Sequence, residues 1–221
     1  MNFVKPPFLL SKLTKNNLIW QIQTENPIIY LTFDDGPIPE ITPFVLKTLS
    51  DFNAKATFFC VGDNVRKHPD IFNEIVVSGH KIGNHTFNHL NGWKTHSSNY
   101  IENITNCNDY FKTDLFRPPY GKLKPSQVLE IRKTKAIILW SVLSCDFDQH
   151  ITKEECLSNA LSFTDKGAIV VFHDNIKAKD NLFFALPRFL EHFANKGFTF
   201  EILTKELCEE TLSQPFKIFK K

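Results

Sequence analysis

Two aspartates stand side by side at the end of an apolar run, where Pro27-Ile28-Ile29-Tyr30-Leu31 leads into Thr32-Phe33-Asp34-Asp35-Gly36-Pro37. Like charges one residue apart repel, and the tip of a strand shields neither. They are therefore solvated turn residues, or something positive belongs between them. An Asp-Gly-Pro turn is common in loops, and on this stretch alone it is the simpler reading. Further along, His85 and His89 stand in His-x3-His spacing. On a helical turn that spacing puts two imidazoles on one face, a chelating geometry for zinc or a similar divalent ion. With 8 His in the chain the pair alone is a weak signal. A carboxylate from the aspartate pair completes a His2Asp set of three protein ligands, which leaves positions open for water and substrate, as catalytic sites do. One aspartate then binds the ion while its neighbour stays free as a base, because consecutive residues of an extended segment project to opposite sides.

Three more residues share this placement after apolar runs. Arg117 leads Arg-Pro-Pro-Tyr-Gly, Asp146 follows the run 136–142, and His173 sits with Asp174 at the end of 168–174. A fixed guanidinium would orient a free carboxylate and hold it ionised. The ordinary pKa of histidine suits His173 to proton donation near neutrality, and Asp146 could tune either Arg117 or His173. Trp93 and Trp140 could stack on sugar faces, although such aromatics are more often core residues. His68, His80, His96, His150 and His192 read as ordinary surface or structural histidines.

The elements that must position these residues alternate from end to end. Strands are expected at 28–33, 56–62, 81–84, 115–117, 136–142, 168–174 and 198–202. Helices are expected from Thr42, as N-cap with Pro43 in first position, to about 52, and at 69–78, 97–111, 126–133, 152–162 and 181–196. Such repeated alternation means a parallel sheet, closed into a barrel or open and doubly wound. No Gly-x-Gly-x-x-Gly or P-loop follows the first strand, which removes the usual nucleotide reason for the open form. In a barrel the carboxyl ends of the strands converge on one face, where active sites are built.

Composition narrows the function classes. The chain of 221 residues fits one domain, and 42% hydrophobic residues with 22 Phe argue for a large buried core. Lys+Arg 26 against Asp+Glu 24 gives no basic surface for nucleic acid. Cys60, Cys107, Cys145, Cys156 and Cys208 contain no Cys-x-x-Cys, and read as buried thiols rather than a disulfide framework or a thiolate zinc site. The apolar patch at 6–10 is too short for a signal-peptide core or a membrane span. The expectation is a cytoplasmic protein with no membrane partner, with export by another route left open.

Taken in order, these segments resemble the five motifs of the polysaccharide deacetylase family, also called the NodB-homology or carbohydrate esterase family 4 enzymes, from about 28 to 202. The resemblance implies an α/β fold, a distorted (β/α)7 barrel like a TIM barrel, with its active site at the carboxyl ends of the strands. It implies a single domain over 1–221, with 1–26 as an N-terminal extension packed on it. The implied activity is metal-dependent removal of N-acetyl groups from GlcNAc-containing oligo- or polysaccharide, chitooligosaccharide or peptidoglycan-like. The implied cofactor is one divalent ion, zinc foremost, with cobalt or another ion as alternatives. Carried over, Asp34 matches the general base, and Asp35, His85 and His89 the metal ligands. Arg117 matches the arginine that holds the base, and Tyr120 the residue whose N–H helps stabilise the oxyanion. Asp146 matches the fourth-motif aspartate, and His173 the histidine that protonates the leaving amine.

Three positions depart from the family pattern. Leu143 stands where the fourth motif often has Asp, Phe147 where it often has Trp, and Val171 where a Leu commonly lines the acetyl pocket. The pocket stays apolar while its shape changes, which bears on substrate choice rather than on the chemistry. Two rival readings remain: the same site acting on a non-sugar amide, and an inactive sugar-binding domain. The second predicts a broken base or acid, and both are present.

Overall fold

The computed structural model describes residues 4–214. Residues 1–3 and 215–221, parts of the expected extension and domain span, lie outside the described residues. At the centre is β1 (Ile28–Asp35), whose residues 29–34 are all buried. Ile29, Leu31 and Phe33 face one way while Tyr30, Thr32 and Asp34 face the other, so the strand is covered on both sides, as parallel sheets require.

Before β1 comes α1 (Phe8–Thr14), and after it α2 (Ile41–Asp51), β2 (Ala56–Cys60), α3 (Gly62–Lys67), α4 (Pro69–Val77) and β3 (Lys81–Asn84). Next are α5 (Ser97–Thr105), β4 (Leu115–Phe116), α6 (Pro125–Ile131), β5 (Ala136–Ile137) and β6 (Val142–Leu143). The chain finishes with α7 (Lys153–Ser162), β7 (Ile169–His173), α8 (Lys179–Ala194), β8 (Thr199–Phe200) and α9 (Lys205–Ser213). The strands form one curled sheet in the order β5-β4-β3-β2-β1-β7-β6, with β8 paired to the start of β1. Every pairing of named strands is parallel. This is the distorted (β/α)7 barrel.

The expected strand 136–142 is two short strands, and they form the two edges of the sheet. The stretch between them crosses from one edge to the other. Leu139 donates its N–H to Ile19 and Ser141 to Ile169, so neither extends one ladder. Buried Ile19 bridges Ile138 in parallel, and Gln21 bridges Ala168 antiparallel, which brings the N-terminal segment into the seam.

Packing follows the two faces of β1. Ile29, Leu31 and Phe33 join Phe58 and Phe172 against Val45 and Leu49 of α2 and Leu186 and Phe189 of α8. Phe33 stacks on Phe58 at 5.0 Å between ring centroids. Inside the curl, Tyr30 packs with Phe59, Leu115, Ile138, Ile169 and Leu203. All five cysteines are buried and unpaired. Among the described residues no helix is long and apolar enough to cross a membrane.

Local differences from the expected elements have physical causes. Helix α2 starts at Ile41 after Glu40, which has φ 66°, and Thr42 does not cap it. The Thr42 hydroxyl accepts the Ile38 N–H and donates to Asp174 Oδ2 in a buried bond, so it is engaged away from the helix start. The helix expected at 97–111 ends at Thr105 and continues as a 3-10 turn over Asn106–Asp109. Helices α1, α3 and α9 were not expected from periodicity, two of them being too short to show it.

Candidate active site

Asp34 points into the curl beside a fully buried arginine. Arg117 Nη1 donates to Asp34 Oδ1 at 2.7 Å and to Thr32 Oγ1 at 2.7 Å. Its Nε and Nη2 donate to the carbonyls of Ile138 at 3.3 Å and Leu139 at 2.9 Å, and the guanidinium lies 4.1 Å over the Phe59 ring. A buried charge pair is tolerable only when its remaining polar atoms are satisfied. The carbonyls freed where the chain crosses the seam do this for Arg117.

Strict alternation would turn Asp35 away from Asp34. Asp35 instead adopts φ 89°, leaving the extended conformation and bringing its carboxylate to the same mouth of the barrel. Asn64 Nδ2 holds its backbone carbonyl at 2.7 Å, and Asn175 Nδ2 donates to its Oδ2 at 2.5 Å. The other oxygen, Oδ1, lies 3.1 Å from His89 Nε2 and 3.6 Å from His85 Nε2, yet is buried without a hydrogen-bond partner. Burial opposes its charge, but the neighbouring His89 and His173 hold its carboxyl well below the usual range.

The two histidines reach this point from a loop rather than from the helical turn their spacing predicts. Thr86 and His89 have φ 63° and 55°, which no helix accommodates. Asn103 Oδ1 accepts the N–H groups of Phe87 and Asn88, and Asn84 Oδ1 accepts that of Thr86, so side chains hold the loop in place of helical hydrogen bonds. His85 Nδ1 lies 2.8 Å from the Arg117 carbonyl, which fixes the proton on Nδ1 and leaves the Nε2 lone pair toward Asp35. Burial takes its pKa down to about 4, so the ring is neutral. One donor atom from each of Asp35, His85 and His89 thus lies within 4.8 Å of the other two. That donor set fits a divalent ion.

Across the mouth, His173 is in register with Asp34. Asp146 Oδ1 lies 2.7 Å from His173 Nδ1, and its Oδ2 accepts the His173 N–H at 2.7 Å. Burial would lower the imidazole pKa, but the Asp146 charge and hydrogen bond outweigh it and raise it to about 9. Of the two partners open to Asp146, the structure pairs it with His173. Tyr120 has φ 61° within the 3-10 turn Pro119–Gly121, and its ring packs edge-on to His89 at 4.8 Å. Among the described residues its backbone N–H has no acceptor. Leu143 and Val171 are buried together with Cys145, against Trp140 and Phe147. Trp93 is exposed, with its indole N–H held by the Leu123 carbonyl.

Sequence reasoning missed the support under the aspartates. Asp174 is fully buried, accepts the Gly36 N–H at 2.9 Å and the Thr42 hydroxyl at 2.6 Å, and donates its own N–H to the Asp34 carbonyl. Burial pushes its carboxyl up to about 8. A methyl group on Gly36 would lie 1.9 Å from Asp174 Oδ2, so only glycine fits there. An acid directly after an apolar strand and a histidine was the available signal. The arrangement offers a fixed carboxylate, an ion site and a charged imidazole around one opening, the parts needed to hydrolyse an amide.

A family model described as polysaccharide deacetylase matches residues 21–136. The chain is 30% identical to a peptidoglycan-N-acetylglucosamine deacetylase of Bacillus cereus, over 85% of this chain and 92% of that protein. It is 34% identical to a chitooligosaccharide deacetylase of Azorhizobium caulinodans, over 66% of this chain and 73% of the other. Some curated relatives are longer: the chain covers 55% of a second B. cereus enzyme and 33% of one from Listeria monocytogenes. Among solved structures, the Bc1960 peptidoglycan N-acetylglucosamine deacetylase superposes with a TM-score of 0.80 at 30% identity, over 90% of this chain and 95% of that one. Bacillus subtilis PdaA, a family 4 carbohydrate esterase, gives 0.79 at 25% identity, over 93% and 90%.

Proposed function

The chain belongs to the polysaccharide deacetylase family, and from that premise we propose that it is a metal-dependent hydrolase removing N-acetyl groups from GlcNAc-containing oligo- or polysaccharide. The observation that carries this reading is the convergence of the buried Oδ1 of Asp35 with the Nε2 atoms of His85 and His89, at 3.6 and 3.1 Å. Asp35, His85 and His89 hold one divalent ion, zinc foremost. Bound there, such an ion supplies Lewis-acid polarisation of the acetamide carbonyl and a lowered pKa for water.

The chain's own residues move the protons. Arg117 fixes Oδ1 of Asp34, which leaves Oδ2 to take the proton of the attacking water. The Tyr120 N–H donates to the oxygen on which charge develops, and its bond strengthens as that charge grows. Asp146 holds Nδ1 of His173, so Nε2 gives its proton to the nitrogen as the C–N bond breaks. Water oxygen ends in acetate and the sugar leaves as the free amine. Leu143 and Val171 form the apolar wall for the acetyl methyl. The described residues of the N-terminal extension, 4–26, belong to the same single domain.

The test is acetate release from a ladder of N-acetylglucosamine oligomers with zinc or cobalt, beside Asp34→Asn. Replacement of the base is expected to lower turnover by roughly 10²–10⁴-fold while the protein keeps its metal. Release that survives in the variant, or under chelation, would sink this reading.

A further inference from the structure

Asp35 could offer an ion one oxygen or two, and its surroundings choose. Asn175 Nδ2 donates to Oδ2 at 2.5 Å, on the side away from the histidines' shared partner Oδ1. The direction of this amide is fixed by its other end. Asn175 Oδ1 accepts the Ala178 N–H at 3.0 Å in the turn that opens α8, so the NH2 group has to face Asp35. A flipped amide would set oxygen against carboxylate oxygen at one end and nitrogen against N–H at the other. The backbone of Asp35 is pinned separately by Asn64 at 2.7 Å, which leaves the carboxylate rotation as the freedom Asn175 removes.

We infer that Asn175 is a positioning residue for the metal centre, holding Oδ2 of Asp35 out of coordination so that Asp35 binds through Oδ1 alone. This rests on the reading that Asp35, His85 and His89 are the ligands. Its consequence is chemical as well as geometric. A one-oxygen carboxylate keeps the coordination number low and leaves room at the ion for water and the acetamide oxygen. Groups that orient ligands in this way are commonly worth ~10–100-fold in metal affinity. Asn175 also lies two residues after His173, so the strand that ends on the acid runs straight into the residue that sets the ligand.

Two substitutions separate this role from simple support of the fold. Asn175→Ser keeps a hydroxyl that can accept the Ala178 N–H but is too short to reach Asp35, whereas Asn175→Ala loses both contacts. Zinc affinity is measured by competition with a chromophoric chelator, beside wild type and His89→Ala, and the visible spectrum of the cobalt form is recorded for each. Both Asn175 variants are expected to lose ~10–100-fold in zinc affinity. Their cobalt bands should weaken as Asp35 swings to two-oxygen binding and the coordination number rises. Only Asn175→Ala should also melt earlier without metal. Wild-type affinity and an unchanged cobalt spectrum in Asn175→Ser, with binding still lost in His89→Ala, would overturn the inference alone. Equal zinc binding by wild type and His89→Ala would overturn the ligand reading and this inference with it.

Discussion

At the scale of single residues, Arg117 joins the two halves of the site. Its guanidinium holds Asp34, and its backbone carbonyl holds Nδ1 of His85, so the proposed base and a proposed metal ligand are set by one position. The acid is governed separately, by Asp146. Burial alone would drive His173 toward the neutral form, and the Asp146 charge reverses this to about 9. An imidazolium donor is present below its pKa and lost as pH rises through it, so the alkaline limb of kcat/KM should fall near 9. In Asp146→Asn burial goes largely unopposed, and that limb should move down toward or below the ordinary imidazole value of ~6.5. The variant should then keep a larger share of its maximal activity at the acid end. An alkaline limb that stays in place would separate His173 from the proton transfer. The residue types for this chemistry were legible because each sits just after an apolar run. Asp174 and Asn175 carry no spacing pattern that separates them from ordinary turn residues, and only the fold shows what they touch.

At the scale of elements, the site is built from strand ends that turn sharply. Asp35, Thr86, His89, Tyr120 and Cys145 all have positive φ without being glycine. Such backbone costs on the order of 1–2 kcal/mol per residue, and it persists where surroundings impose it, often at functional sites. This is why the histidine spacing misled. A period of four marks a helical turn, but two left-handed residues and two asparagine side chains produce the same convergence from a loop. The end of β7 imposes the turn after β1 through Asp174, whose carboxylate receives the Gly36 N–H and the Thr42 hydroxyl. A neutral amide keeps the Gly36 bond through its oxygen, while its NH2 meets Thr42 in the reverse sense and strands the Thr42 hydroxyl proton. Asp174→Asn is therefore expected to cost only ~1–2 kcal/mol. Asp174→Ala leaves a buried N–H and hydroxyl unsatisfied, beside a cavity, and is expected to cost ~2–5 kcal/mol. Urea denaturation of the two variants checks the difference. Equal losses would mean that the carboxylate charge, rather than its hydrogen bonds, holds the turn.

For the whole molecule, the apolar runs told which strands are buried but not how the sheet closes. The order of the strands was open between a barrel and a doubly wound sheet until the absence of a phosphate loop favoured the barrel. The closure itself rests on residues 138–141 crossing between edge strands and on Ile19 and Gln21 filling the seam, pairings of two or fewer residues that leave no periodic trace. The proposed ion site would also be a closure, since the residues that would hold the ion come from the ends of β1 and β3 and are braced by the loop after β7. An ion that binds this folded arrangement and not the unfolded chain stabilises by mass action, ~4 kcal/mol at a thousandfold excess over Kd. For a chain of this size that corresponds to a rise in Tm of roughly 8–16 °C. Asp34→Asn should show the full rise, because Asp34 belongs to Arg117 rather than to the ion, and His89→Ala should lose nearly all of it. Differential scanning calorimetry with zinc and with a chelator measures both. A full rise in His89→Ala would mean that the stabilising ion sits elsewhere, and the strand ends would then need another reason to bring Asp35, His85 and His89 together.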